Sequence, residues 1–290
     1  MIPANYSMIS FPSLGIEVNP GRTLAIGPLT IHYYGALIAL GLMLAMVYSC
    51  KRGKKFGLKE DDILDGFLWI TPLAIVCARI YYVVFSWADY KDNPIEVFYI
   101  WNGGIAIYGS VIGAILGMCI FAKVKKVKIT AVLDLIMTAF LIGQFIGRWG
   151  NFVNREAFGA ATDSFLRMGL TNARTGAITY VHPTFLYESL WNAAGFALIH
   201  FLSKKRKYDG QVALLYVAWY GLGRTFIEGL RQDSLYWGNF RVSQMLAAIS
   251  CFTAVAALMA FGFFWKPDPA KMQVNKVAPA AEEPKEETAE

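Results

Sequence analysis

Apolar residues in this chain do not alternate with polar ones. They gather into long runs, roughly 27–49, 63–86, 104–122, 131–149, 183–203, 210–230 and 243–265. Each run is close to the about 20 residues that carry a helix across a bilayer. The pattern predicts an all-α polytopic membrane protein of about seven transmembrane helices occupying residues 1–265. The longest connection on the predicted outer side, 150–182, is polar and contains glycine, and is expected to form a small structured extracytoplasmic cap. Residues 266–290 shift abruptly to Pro, Ala, Glu and Lys. With so little to bury they are expected to be a disordered cytoplasmic tail. Within the runs, Gly109, Gly113 and Gly117 recur every four residues and share a helix face, as do Gly143 and Gly147; both sets predict close helix approach. Pro72 is expected to kink the second span, and Pro183 suits the first turn of the fifth.

Composition supports a membrane protein: 56% of the 290 residues are hydrophobic and 17% charged, against about 25% charged in a soluble domain. The basic residues explain the net charge of +6 without a nucleic-acid partner, because they fall in alternate loops. Lys51, Arg52, Lys54, Lys55 and Lys59 occupy one, Lys123, Lys125, Lys126 and Lys128 the next, and Lys204, Lys205, Arg206 and Lys207 a third. The positive-inside rule places those loops in the cytoplasm, the N-terminus outside and the C-terminus inside. Nothing at the N-terminus resembles a cleaved signal, so the first helix is expected in the mature protein. Cys50, Cys77, Cys119 and Cys251 lie in or beside apolar runs without C-x-x-C spacing and read as small buried hydrophobes.

Five ionisable residues break the apolar runs towards their predicted outer ends: Arg79, Arg148, Glu188, Arg224 and Glu228. An arginine near the middle of a bilayer costs roughly 2.5–3.5 kcal/mol on insertion scales and cannot escape by losing its proton. Arg224 and Glu228, four residues apart, share a face. The cluster is open to two readings. In one, Arg224–Glu228 and Arg79–Glu188 are internal ion pairs. In the other, the pairs leave Arg148 over as a planar donor for a phosphate at headgroup depth, most simply that of a phospholipid. Asp65 and Asp134, in the first turns of their helices, are accounted for by the helix dipole. Tyr34, Tyr108, His182 and Asn192 lie at the level of the cluster, as interfacial anchors or ligand contacts.

The run Gly147-Arg148-Trp149-Gly150-Asn151-Phe152-Val153-Asn154-Arg155-Glu156-Ala157-Phe158-Gly159 resembles the signature of prolipoprotein diacylglyceryl transferases, G-R-x-G-N-F-x-N-x-E-x-x-G, at every fixed position. His32-Tyr33-Tyr34-Gly35, Gly103–Gly109, His182–Glu188 and Gly223-Arg224 through Glu228 to Arg231 are similar to further family segments, in the family's order. The resemblance implies a bacterial inner-membrane enzyme. It would move the diacylglyceryl group of phosphatidylglycerol onto the thiol of a prolipoprotein's lipobox cysteine, releasing glycerol phosphate. By position, Arg148 and Arg224 match the family's phosphate-binding and catalytic arginines; Asn151, Glu156, Gly159, Glu228 and Tyr34 match further functional positions. Asn154, Arg79, His182 and Glu188 complete the expected substrate-binding set. Many family members carry His where this chain has Tyr108, and that His is a proposed base. A tyrosine with an ordinary pKa near 10 is a poor base at neutral pH, so Tyr108 loses its proton to a nearby Arg's influence, or orients the thiol, or the base lies elsewhere.

The expected partners are therefore phosphatidylglycerol, the lipobox signal peptide and the bilayer. The nucleophile belongs to the peptide, and the chain's own cysteines are expected to be dispensable. No cofactor is expected: H-E-x-x-H is absent, His32, His182 and His200 are the only histidines, and no nucleotide fingerprint occurs. A transporter would string its charges along a path and show repeat symmetry. A retinal protein would need a lysine inside a span. Another phospholipid transferase fits the charge cluster equally well and is separated only by the motif.

Overall fold

The computed structural model describes residues 6–27, 29–232, 236–238 and 240–276. Among them are seven helices of 18–26 residues: α1 (Tyr33–Gly53), α2 (Glu60–Phe85), α3 (Ile107–Val124), α4 (Ile129–Asn154), α5 (Thr184–Leu202), α6 (Gln211–Glu228) and α7 (Val242–Met259). A π-helical turn, 260–265, extends α7. Five of the seven, α1, α2, α3, α4 and α7, are long and apolar enough to cross a membrane. The protein is thus a mostly helical, multi-pass membrane protein. The two helices outside that set, α5 and α6, are those that carry Glu188, Arg224 and Glu228, whose charges dilute their apolar character.

Strands account for what hydrophobic periodicity left unread. β1 (Tyr6–Phe11) and β2 (Ile16–Val18) join β5 (Met168–Asn172) and β6 (Ile178–Val181) in an antiparallel sheet of order β2-β1-β5-β6. Ile9, Met168, Leu170 and Val181 bury one face against Phe185 in the first turn of α5. β3 (Thr23–Ile26) and β4 (Leu29–His32) form a hairpin in register Thr23↔His32. Its second strand takes residues the apolar run had assigned to the first helix, which starts six residues later than expected. β7 (Tyr236–Trp237) and β8 (Phe240–Arg241) lead into α7.

The chain divides into two compact units. The first holds residues 1–48 and 136–267: the four-stranded sheet, most of α1 and α4, and α5, α6 and α7. In it Gly41 meets Gly143, where an added Cβ would lie 3.1 Å from the facing Cα. Pro183 sits just before α5 as its N-cap rather than in its first turn. The second unit holds 49–135 and 268–290. Here the glycine face of α3 lies flat on α2: a Cβ on Gly109 would reach 2.6 Å from Tyr81 Cβ, and one on Gly113 2.7 Å from Cys77 Cβ. Pro72 lies inside α2, which continues past it. After α3, Lys125 donates to Asp62 at 2.6 Å and Asp65 at 2.7 Å, and these bonds raise its pKa above the ordinary lysine value.

The expected tail is folded in its first part. Pro269–Lys271 and α8 (Gln273–Lys276) are helical, and Met272 and Gln273 are buried. Gln273 Oε1 accepts from the Lys128 backbone at 3.1 Å. Its main chain passes so close to Gly57 (φ +72°) that a Cβ there would lie 2.7 Å away. The remainder of the expected disordered segment, 277–290, lies outside the described residues.

Candidate active site

The glycine-bounded motif 147–159 straddles the end of α4, which runs six residues beyond Arg148. Past Asn154 the chain turns sharply, with Arg155 at φ +57° and Ala157 at φ +56°. Two non-glycine residues in the left-handed region are an uncommon conformation that needs support from their surroundings. Arg155 supplies it. Its buried guanidinium donates to Val153 O, Ser7 O, Pro20 O and Asn19 Oδ1 at 2.7–3.0 Å, tying the turn to the N-terminal strands. Between the two turned residues Glu156 collects Asn151 Nδ2 at 3.0 Å and Asn154 Nδ2 at 3.3 Å. Gly159 then threads a gap where a Cβ would meet His182 Cβ at 2.7 Å and Leu230 O at 2.8 Å; its N–H donates to His182 O at 2.9 Å. The His182 ring lies 3.4 Å from the Tyr187 hydroxyl. Gly150 admits the ring of Tyr34, whose Cδ2 would be 2.5 Å from a Cβ.

Arg148 of α4 and Arg224 of α6 converge on Glu188 of α5, which is 3% exposed. Its Oε1 accepts from Arg224 Nη1 at 3.0 Å and from Arg231 Nη1 at 3.4 Å. Its Oε2 lies 2.6 Å from Arg148 Nη2, a charge contact without hydrogen-bond alignment. Arg224 Nη2 also donates to Glu228 Oε2, one turn along α6. Arg148 Nη1 donates to Asn151 Oδ1 at 3.3 Å, which joins the cluster to the motif and Glu156. Arg148 is therefore not left over, as counting charges in pairs suggests; it shares Glu188 with Arg224. Among the described residues, these contacts occupy only part of the ten N–H donors on the two arginines. Their side chains are 23% and 17% exposed. The arrangement is a pair of guanidinium groups that share the Glu188 carboxylate, with Glu228 also holding Arg224, and with donors remaining for an anion.

In the second unit Arg79 is buried and its fork is filled. Nε donates to Val97 O at 2.8 Å, and the terminal nitrogens donate to Glu96 O, Gly103 O and Gly104 O, each at 2.7 Å. Tyr90 covers its face. Carbonyls of segment 96–104 satisfy Arg79, which binds that segment to α2. Tyr108 opens α3, with its ring 6.3 Å from Tyr81.

The model of the family described as prolipoprotein diacylglyceryl transferase matches residues 22–260, which include this cluster and the whole motif. The chain belongs to that family. Transferase relatives include proteins named phosphatidylglycerol–prolipoprotein diacylglyceryl transferase. That of Limosilactobacillus reuteri is 43% identical over 241 residues, covering 80% of this chain and 88% of the relative. That of Ligilactobacillus salivarius is 44% identical over 253 residues, covering 84% and 93%. That of Listeria welshimeri is 43% identical over 244 residues, covering 81% and 88%.

Within this diacylglyceryl transferase the hydrophobic pattern did not mark three residues in or beside the cluster. Arg231 lies beyond α6, outside any apolar run, so no burial penalty marked it. Arg241 and Gln244 are equally unmarked. Arg241 donates to Glu228 O, and Gln244 Nε2 donates to Thr225 O at 2.9 Å. Both occupy carbonyls in the last turn of α6, where the helix itself offers no partner.

Proposed function

We propose that the chain transfers the diacylglyceryl group of phosphatidylglycerol to the thiol of a lipobox cysteine in the bacterial inner membrane. This is the transferase step of lipoprotein biosynthesis. The observation that carries the site assignment is the convergence of Arg148 and Arg224 on the two oxygens of Glu188. Two guanidinium groups so fixed can take the lipid phosphate between them. The reaction forms a bond from cysteine sulfur to the terminal glycerol carbon and breaks the bond from that carbon to the phosphate oxygen. Charge develops on the departing oxygen, and fixed guanidinium donors in a water-poor site stabilise it. The peptide thiol must lose its proton, since the thiolate is the nucleophile; the proton leaves with glycerol phosphate. The same cations lower the thiol's pKa, and Tyr108 orients or deprotonates it.

Asn151, Asn154 and Glu156 link the end of α4, which carries Arg148, to the turn after it; Gly159 lets the chain pass His182, and Tyr34 packs on α4 through Gly150. Arg79 fixes segment 96–104 rather than gripping lipid. On this reading α5 and α6 also cross the bilayer, giving seven spans, with the N-terminus outside and the basic loops in the cytoplasm. Segment 150–182 and the N-terminal strands form the outer cap.

Purified protein in vesicles with labelled phosphatidylglycerol and a lipobox peptide should transfer label to the peptide cysteine and release glycerol phosphate. Vesicles that carry inserted protein and form no thioether would refute the assignment.

A further inference from the structure

α5 and α6 repeat one short pattern, Trp191-x-x-x-Gly195 and Trp219-x-x-x-Gly223. The two halves lock together. The Trp191 indole N–H donates to Trp219 O at 3.0 Å, and the Trp219 indole N–H donates to Trp191 O at 3.0 Å. The rings stack with centroids 4.3 Å apart and planes at 18°. Each indole lies on the glycine of the other helix: a Cβ on Gly223 would fall on Trp191, and a Cβ on Gly195 would fall on Trp219. The contact is a local two-fold, in which every interaction occurs twice.

Such a contact has one register. Sliding α5 against α6 by a single residue, about 1.5 Å, breaks both indole bonds together and drives both rings off their glycines. Where water is scarce, the freed N–H groups find no other acceptor. Glu188 stands three residues from Trp191, and Arg224 adjoins Gly223, the socket of that same tryptophan. The charge cluster therefore inherits its alignment from the clasp.

We propose that Trp191, Trp219, Gly195 and Gly223 are positioning residues for catalysis: the clasp fixes the register in which Glu188 meets Arg224. The inference rests on the transferase reading of the cluster. None of the four touches substrate; they act through Arg224.

The test uses full-length protein in phosphatidylglycerol vesicles with a lipobox peptide. Trp191→Phe keeps the stacked ring and removes one bond, whereas Gly223→Ala displaces the ring. Misplacement of a catalytic group by about 1 Å costs up to roughly 100-fold. Folded Gly223→Ala should accordingly lose between about tenfold and 100-fold in kcat, with KM for phosphatidylglycerol within about twofold of wild type. Trp191→Phe should lose less in the same parameter. In Gly223→Ala combined with Glu228→Gln, the losses should fail to multiply, because both act on Arg224. Folded Gly223→Ala and Trp191→Phe with wild-type kcat, or losses that multiply in the double variant, would overturn the proposal. If Gly223→Ala does not fold, Trp191→Phe and its double variant with Glu228→Gln decide alone. Inactive wild type would instead overturn the transferase reading.

Discussion

At Glu188 one carboxylate serves three cations, Arg148, Arg224 and Arg231, while only 3% exposed. Removing its charge leaves the guanidinium groups with no negative charge between them. Breaking a buried pair in this way costs about 3–5 kcal/mol. Glu188→Gln should therefore lower thermal stability in detergent and abolish transfer together, measured as melting temperature and thioether yield. Arg224→Lys separates the two effects. The ammonium keeps the charge, but one point cannot reach Glu188, Glu228 and a phosphate as a planar fork does. Transfer should fall at least about 100-fold, with folding close to wild type. Near-normal transfer by that variant would count against the clamp. At this scale the sequence was informative because charge inside an apolar run is conspicuous: Arg148, Glu188, Arg224 and Glu228 all stand out. Arg79 stands out equally, yet carbonyls satisfy it, since a backbone segment can fill a guanidinium as completely as a ligand. No periodicity distinguishes those outcomes.

Helices were legible because their apolar runs are long, and their contact faces because glycine marks close approach. Gly109 and Gly113 admit the α2 backbone so tightly that Gly113→Val should loosen the α2/α3 pair. The expected loss is about 1–3 kcal/mol from overpacking, read as a lower unfolding temperature of the purified protein. Unchanged stability would mean that the two helices separate at little cost. The strands were illegible for a different reason. β1 has six residues and β5 five, too short to carry a convincing alternation, and strand preference depends on neighbours more than on local sequence. The hairpin ahead of α1 misled in the opposite sense: Leu29, Thr30 and Ile31 read as the opening of an apolar helix until their pairing with β3 is known.

For the whole molecule, the boundary between folded protein and tail falls later than composition implies. Lysines and prolines beyond residue 265 resemble a linker, yet Met272 and Gln273 are buried beside Gly57 and Lys128. Deleting 268–290 should destabilise the protein by about 1–3 kcal/mol through lost burial and the lost bond from the Lys128 backbone to Gln273. A truncated protein with the wild-type melting temperature would show that the docked segment contributes nothing.

The sheet also sets an order of events. Ser7 bonds to Thr171, a partner 164 residues further along the chain, and Arg155 grips Ser7, Asn19 and Pro20 from the far end of α4. During synthesis the first strand to leave the ribosome has only the short β2 beside it until β5 follows. The turn that ends α4, just past Arg148, therefore gains its brace only after four helices have been made. A nascent chain arrested before that point holds half its fork without the support that aims it, so lipid chemistry begins only when the oldest and the newer parts of the polypeptide have met.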